Sequence, residues 1–376
     1  MPRRDDNAAT MDNLLAVCVA AWTIAVVEPA VEAPRSPAAV IHHAIVELGS
    51  PQFTVRQAAT ERLFEIGLPA VPALAAAAQS GDLEVSARTV RLILRIGRAR
   101  DTRTAALCGA ALQALADSGD PVLSGRAARA LEHHRRYLAT ALARIVVELE
   151  GSVSIRPSDG SPFAVRHTSD LPAGTFVVTS IDLRGATGAT SAALRPLGAP
   201  SGVDQCLLGK TPIDDDALEQ LATWPDLQQL YLERTAVTDA GLRRLTALPD
   251  LRTLWLTGTS ISDAGLRHVS QLAKLGSLDL ESTQVTAEGL AHIAALAHLT
   301  ELNLRDTQVT DEGLRHIARL PRLQSLTLAG TPVTDAGLTH LAGMSTLDFV
   351  DLRRTIVSDA AVQTLRSRIP DVAIRR

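Results

Sequence analysis

The chain has 376 residues, more than one hydrophobic core usually serves, so several domains or a repeat array are expected. Hydrophobic residues make up 46% but aromatics only 3%, so the core must be built from Leu, Ala, Val and Ile, which suits many thin, similar layers. With 37 Lys plus Arg against 41 Asp plus Glu, the chain lacks the positive excess of a general nucleic-acid binder; Cys18, Cys108 and Cys206 are too scattered for a disulfide framework or a C-x-x-C metal site.

The first element is Leu14–Val27, an uncharged apolar run of 14 residues with Arg3 and Arg4 upstream. That is short for a membrane span and fits the hydrophobic region of a signal peptide, although Asp5, Asp6 and Asp12 offset the positive end. Residues 1–33 are therefore read as a signal peptide, which places the mature protein in the periplasm, the envelope or outside the cell. A buried or interfacial N-terminal helix in a cytoplasmic protein is the alternative. Membrane contact is expected only through this segment, if it stays uncleaved. Pro29–Pro37 breaks any helix and reads as a linker.

Residues 38–150 show helical spacing of Ala, Leu and Arg. Ser50 is available as an N-cap, with Pro51 in the first turn; Gly67 ends that helix and Leu68–Leu74 starts the next. Gly81-Asp82 opens a second cycle and Gly119-Asp120-Pro121 a looser third. The polar turns, the Val55-Arg56-Gln57-Ala58-Ala59 opening and Ile66-Gly67 followed by Pro69-Ala70-Val71-Pro72-Ala73-Leu74 resemble HEAT repeats. The resemblance implies an all-α, HEAT-like region; an ordinary helical domain is the other reading. In residues 151–180 turn residues punctuate short β-prone runs, so a β-rich connector is expected to cap the strand that follows.

Leucine pairs then recur every 24 residues: Leu230/Leu232, Leu254/Leu256, Leu278/Leu280, Leu302/Leu304 and Leu326/Leu328, with Cys206/Leu208 before and Val350/Leu352 after. An apolar residue stands three before each pair, from Val203 to Leu347, and a threonine three after, from Thr211 to Thr355. An irregular unit opens at Ile181-Asp182-Leu183, one residue out of phase. The pattern L-x-x-L-x-L-x-x-T-x-V resembles the leucine-rich repeat of bacterial 24-residue proteins and of F-box substrate receptors, with Thr where Asn or Cys is usual. No F-box-like segment is evident, so a ubiquitin-ligase role does not carry over.

The resemblance implies an α/β solenoid over residues 181–376, a horseshoe or arc with parallel strands on its concave face. Each L-x-L is a short strand with its leucines inward. The inward threonines are expected to bond buried backbone. Thr238, Ser262, Thr286, Thr310, Thr334 and Ser358 read as helix N-caps, followed by acidic residues that suit the helix dipole. Gly241, Gly265, Gly289, Gly313 and Gly337 read as room for close helix–strand approach; Ala361 replaces this glycine in the last unit.

The resemblance also implies partner binding on the concave face. There Tyr231 and Trp255 stand one repeat apart, hence about 5 Å between strands. With them, Glu233, Arg234, Asp279, Glu281, Asn303, Arg305, Asp351 and Arg353 form the candidate surface, a charged ring around aromatic anchors. A protein partner is expected, and no cofactor, metal or nucleic acid. His268, His292, His316 and His340 recur on the helical side, where helices about 8–10 Å apart hold imidazoles too far apart to share an ion. Asp214-Asp215-Asp216 fills a helix start, and His42-His43 and His133-His134 lack partner ligands at useful spacing. No catalytic, phosphate-binding or dinucleotide motif appears. A non-catalytic interaction scaffold is therefore expected. The alternatives are an enzyme with its site at the domain junction near residues 150–200, betrayed by a deep pocket of converging ionisable groups, or an envelope-structural role through self-association.

Overall fold

The computed structural model describes residues 36–376 apart from 100–101 and 159. The apolar run Leu14–Val27 and Cys18, and with them the signal-peptide reading, lie outside the described residues. No helix among the described residues is long and apolar enough to cross a membrane.

Among the described residues six helices come first: Pro37–Leu48, Phe53–Ile66, Val71–Ala78, Leu83–Ala99, Thr102–Ala116 and Pro121–Glu148. Their apolar faces bury Leu48, Leu63, Leu74, Ile93, Leu112 and Leu115 in one core. Gly67 ends its helix in the left-handed region at φ 71°, where a side chain would be strained. Asp120 caps the last helix, accepting from the backbone N–H of Val122 at 2.8 Å and Leu123 at 3.2 Å.

Ser50 and Pro51 do not open the second helix, which begins at Phe53. Arg56 Nη1 donates to the carbonyls of Ser50 (2.8 Å) and Pro51 (2.7 Å), which holds both in a turn ahead of the helix. The third cycle is a single helix of 28 residues rather than a helix pair. Its first half packs Leu123, Ala127 and Leu131 into the helical core; its second half sends Leu142, Ala143 and Val146 into the core of the repeats. One rod of about 42 Å thus joins both cores.

Among the described residues eleven strands form one sheet, in the order β11-β10-β9-β8-β7-β6-β5-β4-β3-β1-β2. They are β1 (Ser152–Pro157), β2 (Phe163–Val165), β3 (Phe176–Asp182), β4 (Gln205–Leu207), β5 (Gln229–Tyr231), β6 (Thr253–Trp255), β7 (Ser277–Asp279), β8 (Glu301–Asn303), β9 (Ser325–Thr327), β10 (Phe349–Asp351) and β11 (Ala373–Arg375). From β3 to β11 the pairing is parallel and in register, Leu230 beside Leu254 beside Leu278. Ile181 pairs with Cys206, which accounts for the one-residue phase shift of the first unit. β1 runs antiparallel to β3 and β2 antiparallel to β1, so the open edge of the first repeat is covered.

Each threonine after the strand turns its hydroxyl back on its own repeat: Thr211 donates to the Leu208 carbonyl (2.6 Å), Thr235 to Leu232 (2.7 Å) and Thr259 to Leu256 (2.5 Å). All three are buried, so the bond satisfies a carbonyl that water cannot reach.

The helix starts hold a device that dipole reasoning did not foresee. Asp215 accepts from both the backbone N–H (2.8 Å) and the hydroxyl (2.6 Å) of Thr238, the N-cap one repeat later. Asp263 does the same for Thr286, Asp311 for Thr334 and Asp335 for Ser358. The first-turn acid therefore ties adjacent repeats together. The helix glycine is part of this link: a Cβ on Gly241 would collide with Asp215 Oδ1, one on Gly289 with Asp263 Oδ1, and one on Gly337 with Asp311 Oδ1. The nearest atoms to these glycines belong to the preceding repeat's helix, not to a strand, so the close approach that glycine permits here is between helices.

Candidate partner-binding face

Strands β4 to β10 each turn their central residue inward and leave their two flanks partly exposed, except that Asp351 is buried and Glu301 exposed. The strand face therefore carries a row that the leucine pattern alone did not bring forward: Gln205, Gln229, Thr253, Ser277, Glu301 and Ser325. Period-two alternation about the central residue marks it. Beside it run Tyr231, Trp255, Asp279, Asn303 and Thr327, then Glu233, Thr257, Glu281, Arg305 and Arg353.

Tyr231 and Trp255 pair in register and meet edge to face, ring centroids 4.9 Å apart at 73°. The Tyr231 hydroxyl donates to Gln229 Oε1 (3.0 Å), which also accepts from Gln205 Nε2 (3.0 Å). The phenol is thus anchored by the outer row while both rings stay partly exposed. β1 and β2 continue the sheet past β3 rather than lying across it.

Next to Trp255 lies a linked polar patch. Asp279 accepts from the Thr257 hydroxyl (2.8 Å), the Glu281 N–H (2.9 Å) and Asn303 Nδ2 (2.8 Å). Asn303 in turn accepts from the Arg305 N–H (3.1 Å), and Arg305 Nε lies 3.8 Å from Glu281 Oε1. These four candidates are brought together.

Asp351 is not available to a partner. It is 3% exposed, and the Arg353 guanidinium grips it, Nε at 2.9 and 3.0 Å and Nη2 at 2.5 Å. That hydrogen bonding holds the Asp351 carboxyl below the usual range against its burial. Asp351 orients Arg353, and Arg353 is what the surface presents.

Arg234 stands on a different row. The residue after the third strand-face row is left-handed in every repeat: Lys210, Arg234, Gly258, Ser282, Asp306, Gly330 and Arg354, with φ between 52° and 74°. Arg354 Nη2 reaches across Gly330 to Asp306, two repeats away, at 2.9 and 3.0 Å. Only the in-phase glycines 258 and 330 hinted at this turn in the sequence.

Glu233 lies over Gly209, its Oε2 buried and without a hydrogen-bond partner. Burial pushes its carboxyl above the ordinary value; its own backbone N–H opposes this, the charge of Asp279 adds to it, and Arg184 and Lys210 pull back. With Asp182, Arg184 and Lys210 it lines a polar cavity of about 690 Å³. A second cavity, of about 350 Å³, lies between the helices and β3; its ionisable lining residues are His134 and Arg135. His134 is buried, which pushes its pKa down, and its Nε2 bonds the Ala105 carbonyl at 2.8 Å.

His268, His292, His316 and His340 lie near the C-terminal ends of successive helices, where Arg267 Nε donates to His292 Nε2 at 3.2 Å. Asp214 caps the N–H of Asp216 (3.1 Å) and Asp215 is committed to Thr238. Among the described residues no three His, Cys, Asp or Glu side chains are grouped to hold a metal ion.

A family model described as Leucine Rich repeat matches residues 295–318, a stretch as long as one repeat, in phase with the seven-fold pattern and its in-register strands. The chain carries a leucine-rich-repeat array. Among solved structures the chain is similar to an internalin from Listeria monocytogenes at 17% identity and a TM-score of 0.40. That match covers 52% of this chain, and the chain spans 60% of the internalin's length. No curated protein matches the chain. Leucine-rich-repeat proteins commonly act in protein–protein interaction.

Proposed function

We propose that the chain is a non-catalytic scaffold that holds a protein partner on the strand face of its leucine-rich repeats. The observation that carries this reading is the Tyr231–Trp255 pair. Two of ten aromatic residues stand in edge contact on an exposed row, held by Gln229 rather than covered. Rigid aromatic side chains ringed by charge are what binding hot spots are made of. Glu233, Arg234, Asp279, Glu281, Asn303, Arg305 and Arg353 supply the ring. In this reading residues 38–150, 151–180 and 181–376 act as helical module, connector and binding module.

The test is a Tyr231→Ala/Trp255→Ala double variant with an unchanged far-UV circular dichroism spectrum. Capture of the native partner should fall at least tenfold. A folded double variant that captures the partner as well as the parent rejects the proposal.

The catalytic alternative has less support. The junctional cavity lacks converging ionisable groups, since His134 is committed to a carbonyl and Arg135 to Gln113. Export beyond the cytoplasm is part of the proposal and rests on Leu14–Val27. Mass spectrometry of the mature N-terminus tests it: an intact residue 1 on the protein from its native cell removes it.

A further inference from the structure

We propose that the cleft between the helical region and the first repeat binds a medium-chain alkyl carboxylate, its tail inside the cleft and its head group on Arg135. The cleft shares no residue with the strand-face site, so this inference stands apart from the scaffold reading.

The cleft measures about 350 Å³. Small-molecule sites span about 300–1,000 Å³, and at about 30 Å³ per water-sized group this one has room for about twelve heavy atoms. One wall is a single face of the helix Pro121–Glu148, where Arg135, Leu138 and Leu142 follow at three- and four-residue spacing. The facing wall is Val177 of β3 with Pro200, and Gly109 forms part of the third side. Val177 is 46% exposed, which is unusual for a strand valine bordering a core. Water in such a cleft finds few hydrogen-bond partners, whereas a hydrocarbon chain finds close contacts on each side.

Charge selects the head group. No carboxylate lines the cleft, and Arg135 is exposed with its Nη2 bonded only to the neutral Gln113 Oε1 at 2.8 Å. Gln113 in turn donates to Asp117 outside the cleft, so no carboxylate pairs directly with Arg135 on the cleft side. A guanidinium offers a planar fork that fits a carboxylate in two-point fashion. His134 does not compete for this role, because its Nε2 is spent on the Ala105 carbonyl. An apolar cleft with one cation at its mouth fits an anionic amphiphile better than a neutral or cationic one.

Isothermal titration of the full chain with decanoate and with decanol tests the inference. Decanoate should bind at least fivefold more tightly than decanol. Arg135→Gln should abolish that preference and leave decanol unchanged. Ala106→Trp, an exposed helical position on the rim, should fill the cleft and weaken both ligands at least tenfold. Should that variant lose its native circular dichroism spectrum, Ala110→Trp on the same rim carries the same expectation. Absence of heat with either ligand, equal affinities for both, or a folded Trp variant that binds like the parent overturns the proposal.

Discussion

Asp239 accepts two hydrogen bonds from Ser262, one from its backbone N–H at 2.9 Å and one from its hydroxyl at 2.5 Å, although the two residues belong to successive repeats. The serine hydroxyl meanwhile accepts from Ala264 N at 3.3 Å as the cap of its own helix. The chain of such links is interrupted once: Ala287 stands where the other units have Asp, and Thr310, the next cap, makes no side-chain capping bond. Gly313 is retained there, and its nearest neighbours are Val309, Leu290 and the Ala287 backbone, with no carboxylate among them. Ala287→Asp is therefore expected to stabilise the array by about 0.5–1.5 kcal/mol. The urea midpoint checks this, and a lower midpoint than the parent's would show that the missing link is not simply an unmade pair of hydrogen bonds.

The glycine in the same device should be coupled to the acid. A Cβ on Gly265 meets Asp239 Oδ1 first, with Ile261 and Leu242 each 3.1 Å away. Gly265→Ala alone should cost about 1–3 kcal/mol through crowding, and Asp239→Ala about 1–2 kcal/mol through the lost links. Removing the carboxylate relieves the worst of the crowding. The double variant should therefore cost at least about 0.5 kcal/mol less than the two single costs combined. Strict additivity in denaturation curves would separate the glycine from the aspartate.

The layered fold was legible because its cause is local and repeated: period-two leucines and a 24-residue step leave one parallel register in which every leucine faces inward. The caps were legible for the same reason, since Thr238 and Ser262 each act on a neighbour two residues ahead. The aspartate links were not, because Asp215 and Thr238 are 23 residues apart and a dipole argument already accounted for an acid at that place. Among candidate site residues, the spacing found the Tyr231–Trp255 contact but could not tell a partly exposed carboxylate from a buried one. Asp351 and Asp279 occupy equivalent positions; an arginine two residues later buries the first, whereas Glu281 leaves the second on the surface.

The aromatic pair should contribute to stability as well as to recognition. Edge-to-face rings in contact are worth about 0.5–1.5 kcal/mol beyond their buried area. A double-mutant cycle over Tyr231→Ala and Trp255→Ala should return a coupling in that range. A value indistinguishable from zero would mean that the 4.9 Å contact is incidental to two independently placed rings.

Glu233 gives the face a pH dependence of defined sign. Burial raises its carboxyl above the ordinary 4.5, so the folded chain holds that proton more tightly than the unfolded chain does. The stabilising contribution of the protonated group is fully present below about pH 4.5 and is lost as pH rises through the folded-state value. Above that, the folded state carries a carboxylate whose Oε2 has neither water nor a donor. Glu233→Gln keeps the shape and removes the titration. The stability of the Gln variant relative to the parent should therefore increase between pH 4 and pH 7, read as the difference in urea midpoints at the two values. A difference that shrinks over that interval would mean that Arg184 and Lys210, rather than burial, govern the carboxyl.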